Sequence, residues 1–153
     1  MAQPGDGYLS PTEGYLIGPG NTAARTLAAA PVGSIGFGIA AGGSNVCEVT
    51  ITVKDGSGAT IARVHELTVN LSDDDDGEGL TSTTASGAVA AKSASGTDLA
   101  VFTAKKSTRV QTLKTGVYVL SITDTSKTTF YVSVTGPDGV TAVSRILATA
   151  DYG

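Results

Sequence analysis

The chain has 153 residues, 41% of them apolar and 16% charged, with a formal charge of -4. Cys47 is the one cysteine and His65 the one histidine, which excludes an internal disulfide framework and any multi-cysteine or multi-histidine metal site. A sequence pI near 4.7 argues against nucleic acid as a direct partner, because phosphate binding needs clustered Lys and Arg. No apolar run approaches the ~20 residues of a membrane-crossing helix. No basic start leads into an apolar core, so no secretory signal is expected. At roughly 100–200 residues per domain, one domain with an attached arm is expected.

Thr, Val and Ile number 22, 15 and 7. All three are stiff at χ1 and suit a pleated surface. No stretch of about twelve residues holds a 3.6-residue period. The expected fold class is therefore all-β. A β-sandwich or jelly roll is expected over residues 32–153, with an extended N-terminal arm over residues 1–31.

Pro4, Pro11, Pro19 and Pro31 punctuate the arm, with Gly5, Gly7, Gly14, Gly18 and Gly20 between them. Proline cannot donate to a sheet ladder and glycine loses entropy in one. Tyr8, Leu9, Tyr15, Leu16 and Ile17 recur along it as apolar beads suited to docking in a groove. With Tyr152 near the other end, they are the candidate partner-binding side chains. A short helix over residues 23–30 would be ended by Pro31. Residues 32–44 are glycine-rich and read as a flexible strand or connection. Gly36, Gly38 and Ala41 match a dinucleotide-binding pattern, but a strand follows instead of the required helix.

From residue 46 the period is two. Cys47, Val49, Ile51 and Val53 alternate with Glu48, Thr50, Thr52 and Lys54, as in a half-buried strand. Leu67, Val69 and Leu71 alternate with Glu66, Thr68 and Asn70. Val64 is out of phase with that set, which suggests a bulge near His65. Residues 73–78 form an acidic loop, and residues 80–91 read as a polar strand. Residues 99–104 and 108–113 are short strands around Lys105 and Lys106. Tyr118, Leu120 and Ile122 share one face while Val117 and Val119 cover the other, so that strand is expected to be central and covered on both sides. Phe130, Val132 and Val134 repeat the alternation, and residues 136–139 turn into a last strand over 140–147.

Little in this pattern carries chemistry. A nucleophile elbow, G-x-S-x-G, is absent. His65 is expected on the surface or at an edge strand, and Cys47 as a small core residue. Asp73, Asp74, Asp75, Asp76 and Glu78 do not follow the calcium-loop spacing and read as a solvated loop. Glu48 and Glu66 on neighbouring strands are the nearest thing to a glycosidase carboxylate pair. Lys105, Lys106 and Arg109 are too few for a nucleic-acid footprint and suit a rim contact. No catalytic residue, metal site or cofactor is expected.

Several strand-and-turn phrases carry a resemblance. They are Leu67–Ser72, Leu80–Gly87, Ala104–Lys106, Arg109–Thr112, Tyr118–Asp124, Lys127–Val132 and Ala150–Gly153. Over about residues 47–153 the chain resembles small structural proteins encoded in tailed-phage genomes, similar to capsid decoration or cement proteins. The resemblance implies a non-enzymatic virion protein on the outer capsid surface, with the major capsid protein as partner. It also implies a homo-oligomer and no direct contact with nucleic acid or membrane. A low-copy tail, connector or fibre component is the alternative, ahead of a polysaccharide-active enzyme. Mean hydropathy of +0.14 without a membrane segment agrees with apolar surface covered by association. On this reading, deleting residues 1–31 leaves the β domain folded and weakens capsid binding, which a particle co-sedimentation assay measures.

Overall fold

A computed structural model of the chain describes residues 31–153, together with the backbone of two short strands, β1 (Tyr8–Leu9) and β2 (Leu16–Ile17). Two compact units divide the chain, Met1–Pro31 and Val32–Gly153. In the first, β1 pairs antiparallel with β2, Tyr8 opposite Ile17 and Leu9 opposite Leu16. Tyr15 and the helix considered over residues 23–30 lie outside the described residues.

The second unit is all-β. Its strands are β3 (Ser34–Ala41), β4 (Val46–Lys54), β5 (Glu66–Ser72), β6 (Val89–Ala91), β7 (Thr97–Thr103), β8 (Ser107–Gln111), β9 (Val117–Thr123), β10 (Tyr131–Thr135) and β11 (Thr141–Val143). A single 3-10 turn, Thr149–Asp151, follows them. One sheet has the order β3-β4-β9-β6 and the other β11-β10-β5-β8-β7. Every neighbouring pair is antiparallel. The expected β-sandwich is present. The first sheet has the A-B-E-D order of an immunoglobulin-type sandwich, and β11-β10-β5 occupy the places of G, F and C. The hairpin β7–β8 extends the second sheet.

The two-residue period builds the core. Burial alternates strictly along β4, with Cys47, Val49, Ile51 and Val53 fully buried. It alternates likewise along β9, where Tyr118, Leu120 and Ile122 point inward. Leu67, Val69 and Leu71 of β5 and Val132 and Val134 of β10 supply the other sheet, and Phe130 and Leu147 fill the same cluster. Large aromatics are scarce, so interdigitation of small branched side chains fills the space between the sheets.

Of the two readings of the glycine-rich stretch, strand or connection, the strand holds over residues 34–41, at the sheet edge and paired without a break from Ser34 opposite Lys54 to Ala41 opposite Cys47. Several other expectations need correction. The pairing of β5 has no register shift. The bulges lie in β7 instead, between Asp98 and Ala100 and between Val101 and Thr103. Of residues 80–91 only Val89–Ala91 form a strand. Side chains from elsewhere hold the loop ahead of it. Strand β9 is central, but Val117 and Val119 are only half-buried, because among the described residues no layer covers the outer face of this sheet. The last strand is short. Beyond Val143 the chain stays attached through Ser144 N–H on the Val132 carbonyl (2.9 Å) and Leu147 N–H on the Phe130 carbonyl (2.8 Å).

Asp124 closes one end of the sandwich. It is 1% exposed and accepts from the N–H groups of Ser86 (3.1 Å), Ser126 (3.1 Å) and Thr128 (2.8 Å). It thus joins the β9–β10 turn to the loop before β6. Burial pushes its carboxyl up, but hydrogen bonds from Thr128, Ser86 and Ser126 outweigh burial and hold it well below the ordinary carboxylate range. Replacing Asp124 with Ala strands these donors and should cost about 3 kcal/mol in urea unfolding. The folded carboxyl is more acidic than the unfolded one. Its contribution is therefore complete above about pH 3.9 and is lost as pH falls further, so acid unfolding of Asp124→Ala should show a weaker pH dependence there.

Candidate functional site

Strand β7 is the outer edge of the five-stranded sheet, and all seven of its residues are exposed. An edge strand presents unpaired N–H and C=O groups, and natural edges are usually blunted by charge, proline or bulges. Here the two bulges are present, but residues 99–103 carry no charge. Leu99 is 43% exposed, Val101 66% and Phe102 61%. Val101 sits opposite the buried Thr108 and borders a small cavity lined with Val69, Leu71 and Val89. Phe102 falls in the second bulge and lines a groove of about 300 Å³ with Glu66, Thr68, Arg109, Thr135 and Pro137. Arg109 is paired with Glu66 along this groove.

The start of β7 is fixed. Asp98 accepts from Ala91 N–H of β6 (3.2 and 3.0 Å) and from the Tyr118 hydroxyl (2.6 Å). Burial, with the Asp98 carboxylate beside it, pushes the Tyr118 phenol far above its ordinary value. Its partner thus remains a donor throughout the neutral range. The strand is rigidly rooted at Asp98 and presents its apolar residues beyond that root.

Of the basic residues expected at a rim, Arg109 stands exposed beside Phe102, whereas Lys105 and Lys106 make hydrogen bonds within the fold. Lys105 Nζ donates to the carbonyls of Ala85 (3.1 Å) and Ser86 (3.0 Å), and Lys106 Nζ to that of Ser82 (3.1 Å). These bonds pin the loop ahead of β6. The acidic residues Asp73–Asp76 are all exposed. Asp73 accepts from Thr81 Oγ1 (2.6 Å) and Ser82 N–H (2.8 Å), which holds its carboxyl below the ordinary value. Among the described residues no three His, Cys, Asp or Glu side chains gather as a metal site requires.

Glu48 and Glu66 do not form a pair. Strands β4 and β5 belong to different sheets, and both side chains point outward, toward opposite faces of the sandwich. Glu48 is held by Lys92 at 2.7 Å and Glu66 by Arg109. Cys47 is fully buried, as expected, and burial chiefly, with Asp151 nearby, pushes its thiol up to about 11. His65 is 4% exposed, contrary to the surface position expected, because it continues the inward row of β5. Its charged neighbours are Arg63 and Asp138, whereas those of Cys47 are Asp151, Arg145 and Glu48.

Tyr152 is also corrected. It is 3% exposed and packs in the core, its hydroxyl donating to the Thr128 carbonyl at 2.8 Å. It has no free face for a partner. Tyr15 and the side chains of Tyr8, Leu9, Leu16 and Ile17 lie outside the described residues. Sequence reasoning recognised β7 as a strand but passed over its surface. Its signal was apolar residues on both faces, at Leu99, Val101 and Phe102, with no charge among them.

No protein family and no curated protein matches this chain. Among solved structures it is similar to a beta-glycosidase from Bacteroides vulgatus, with 18% identity and a TM-score of 0.47. The match covers 78% of this chain and 14% of that one, so the chain spans about one-seventh of that enzyme. A likeness of that strength bears on neither mechanism nor substrate.

The burial of Cys47 has a direct chemical consequence, because the thiolate is the reactive form. An aromatic disulfide reagent at neutral pH should leave the folded protein unmodified and label one thiol in denaturant. Absorbance of the released thiol measures both.

Proposed function

We propose that this chain is a structural protein of a tailed-phage particle, a cement or decoration protein that binds the outer surface of the capsid and stabilises the shell. The observation that carries the reading is the β7 edge. Leu99, Val101 and Phe102 stand exposed on a strand that carries no charge beyond its root, which is fixed by Asp98. Such a surface suits association with another protein better than exposure to water. The resemblance of residues 47–153 to decoration proteins supplies the partner, the major capsid protein. A net charge of -4 suits the outside of a shell, away from packaged DNA. Many equal copies, each adding modest binding energy to the assembled lattice only, stabilise that lattice by mass action.

Two measurements test this. The first is copy number per purified particle, by quantitative mass spectrometry against the major capsid protein. Hundreds of copies in a simple ratio to the capsid subunit support cement. A handful moves the protein to the tail, connector or fibre, and absence overturns the virion reading. The second is a surface variant. Phe102→Asp should weaken particle binding at least about tenfold, or ~1.4 kcal/mol. Because Phe102 lies outside the core, the melting temperature should stay within about two degrees of the parent.

A further inference from the structure

Strand β3 is the outer edge of the four-stranded sheet and, among the described residues, pairs with β4 alone. Its eight residues run without a bulge. Residues 32–47 hold no charge and no proline. Charge, proline and bulges are the usual devices that keep an edge from pairing, and β3 has none of them.

The ladder shows which of its backbone groups are open. Val53 N–H of β4 donates to the Gly116 carbonyl (3.0 Å) on the β9 side, and Gly42 N–H donates to the Val46 carbonyl (2.8 Å) on the β3 side. Bonding direction alternates residue by residue along an antiparallel strand. Odd-numbered residues of β4 therefore bond toward β9 and even-numbered ones toward β3. By the pairing register, Gly36, Gly38 and Ala40 spend their backbone groups on β4, while Ile35, Phe37 and Ile39 turn theirs to the open side. The side chains of these three form the inward row of the strand. Ile35 is buried, and Phe37 and Ile39 are partly buried against the core.

The outer face of β3 carries only small residues at Gly36, Gly38 and Ala40. Lys54 lies across it: a Cβ on Gly36 would stand 3.0 Å from Lys54 Cε and 3.1 Å from its Nζ. Glu48 stands opposite Ala40 on the same face, and Lys92 holds its Oε2 at 2.7 Å. The surface beside the edge is thus basic over Gly36 and acidic beside Ala40.

We propose that β3 pairs with β3 of a second copy of this chain, antiparallel about a two-fold axis at Gly38, so that two four-stranded sheets become one of eight strands. Phe37 then stands opposite Ile39 of the second copy, and the open N–H and C=O groups of both strands satisfy one another. The partly buried flanks of Phe37 and Ile39 are covered in the same step. A two-fold contact sets an edge against itself, so a charged edge would repel its own copy, and this one carries no charge. The same axis sets Gly36 opposite Ala40 of the second copy. The Lys54 ammonium over Gly36 is then two strand spacings, about 10 Å, from the backbone of the second copy's Glu48, within reach of two long side chains. This complementarity occurs twice per dimer, whereas a parallel pairing would align like charges. Strand β3 lies on the β11 side of the sandwich and β7 on the β6 side, so the dimer leaves both β7 edges open.

The test uses the full chain. Sedimentation equilibrium should show a reversible approach to twice the 15.2 kDa of one chain as concentration rises. Gly38→Lys sets a charge against its own copy at the axis. The fold has room for it, since a Cβ there meets only Thr50 Cβ at 3.6 Å. This variant should raise the dimer dissociation constant at least about tenfold and lower the melting temperature by no more than about two degrees. Lys54→Glu should raise that constant about fivefold. Amide exchange in the parent chain reads the edge directly and decides the matter even if Gly38→Lys fails to fold. The amides of Phe37 and Ile39 should lose protection on dilution, while those of Gly36 and Gly38, bonded to β4, keep theirs. A monomer at every concentration, or a dimer unchanged in Gly38→Lys, overturns the proposal. Equal protection of Phe37 and Ile39 in monomer and dimer also overturns it, because the edge is then covered within one chain.

Discussion

Two rows of inward side chains have to close on each other before anything else in this molecule can be placed. Val49, Ile51 and Val53 of β4 and Tyr118, Leu120 and Ile122 of β9 form one row set; Leu67, Val69 and Leu71 of β5 and Val132 and Val134 of β10 form the other. All are buried almost completely. Burial of apolar surface is worth roughly 25 cal/mol per Å², so each of these branched side chains contributes on the order of 2 kcal/mol. A slip of one residue in any of the four strands would turn its whole row toward water. Register is therefore set by the core, and the loops inherit their positions from it.

The loops are then tied down by short carboxylates. Asp124 gathers three N–H groups from two segments. Asp98 links β7 to β6 and to Tyr118 of β9, and so joins the two sheets along one side. Asp73 holds Thr81 and Ser82, and Asp138 holds Val32. Asp151 receives both guanidinium nitrogens of Arg145 (2.6 and 2.7 Å) and the N–H of Ala148. Aspartate suits this work because its short side chain reaches nearby backbone N–H groups without much lost rotamer freedom. Much of the chain's acidity is thus structural and not merely a solubilising coat.

What remains exposed is selective. Lysines near β7 are turned back onto loop carbonyls, which leaves the middle of that strand apolar and open. The bulges of β7 supply a measure of edge protection, since they interrupt a flat template for uncontrolled pairing. An edge that is apolar yet irregular favours one shaped partner over indiscriminate stacking. It agrees with the surface-binding role proposed above.

The local pattern of residues was sufficient for the fold class, for the inward faces of β4, β5, β9 and β10, and for the burial of Cys47. Alternation is a property of the chain itself, because successive side chains of a strand must point to opposite faces. The separation of Glu48 from Glu66, the burial of His65 and Tyr152, and the internal use of Lys105 and Lys106 were decided only by the folded chain. Each depends on which sheet a strand joins and on what packs above it, and those are long-range pairings that no local period encodes. The β7 surface lies between the two cases. Its uncharged residues are plain in the sequence, but their exposure follows from the strand's position at the edge, which the sheet order alone determines.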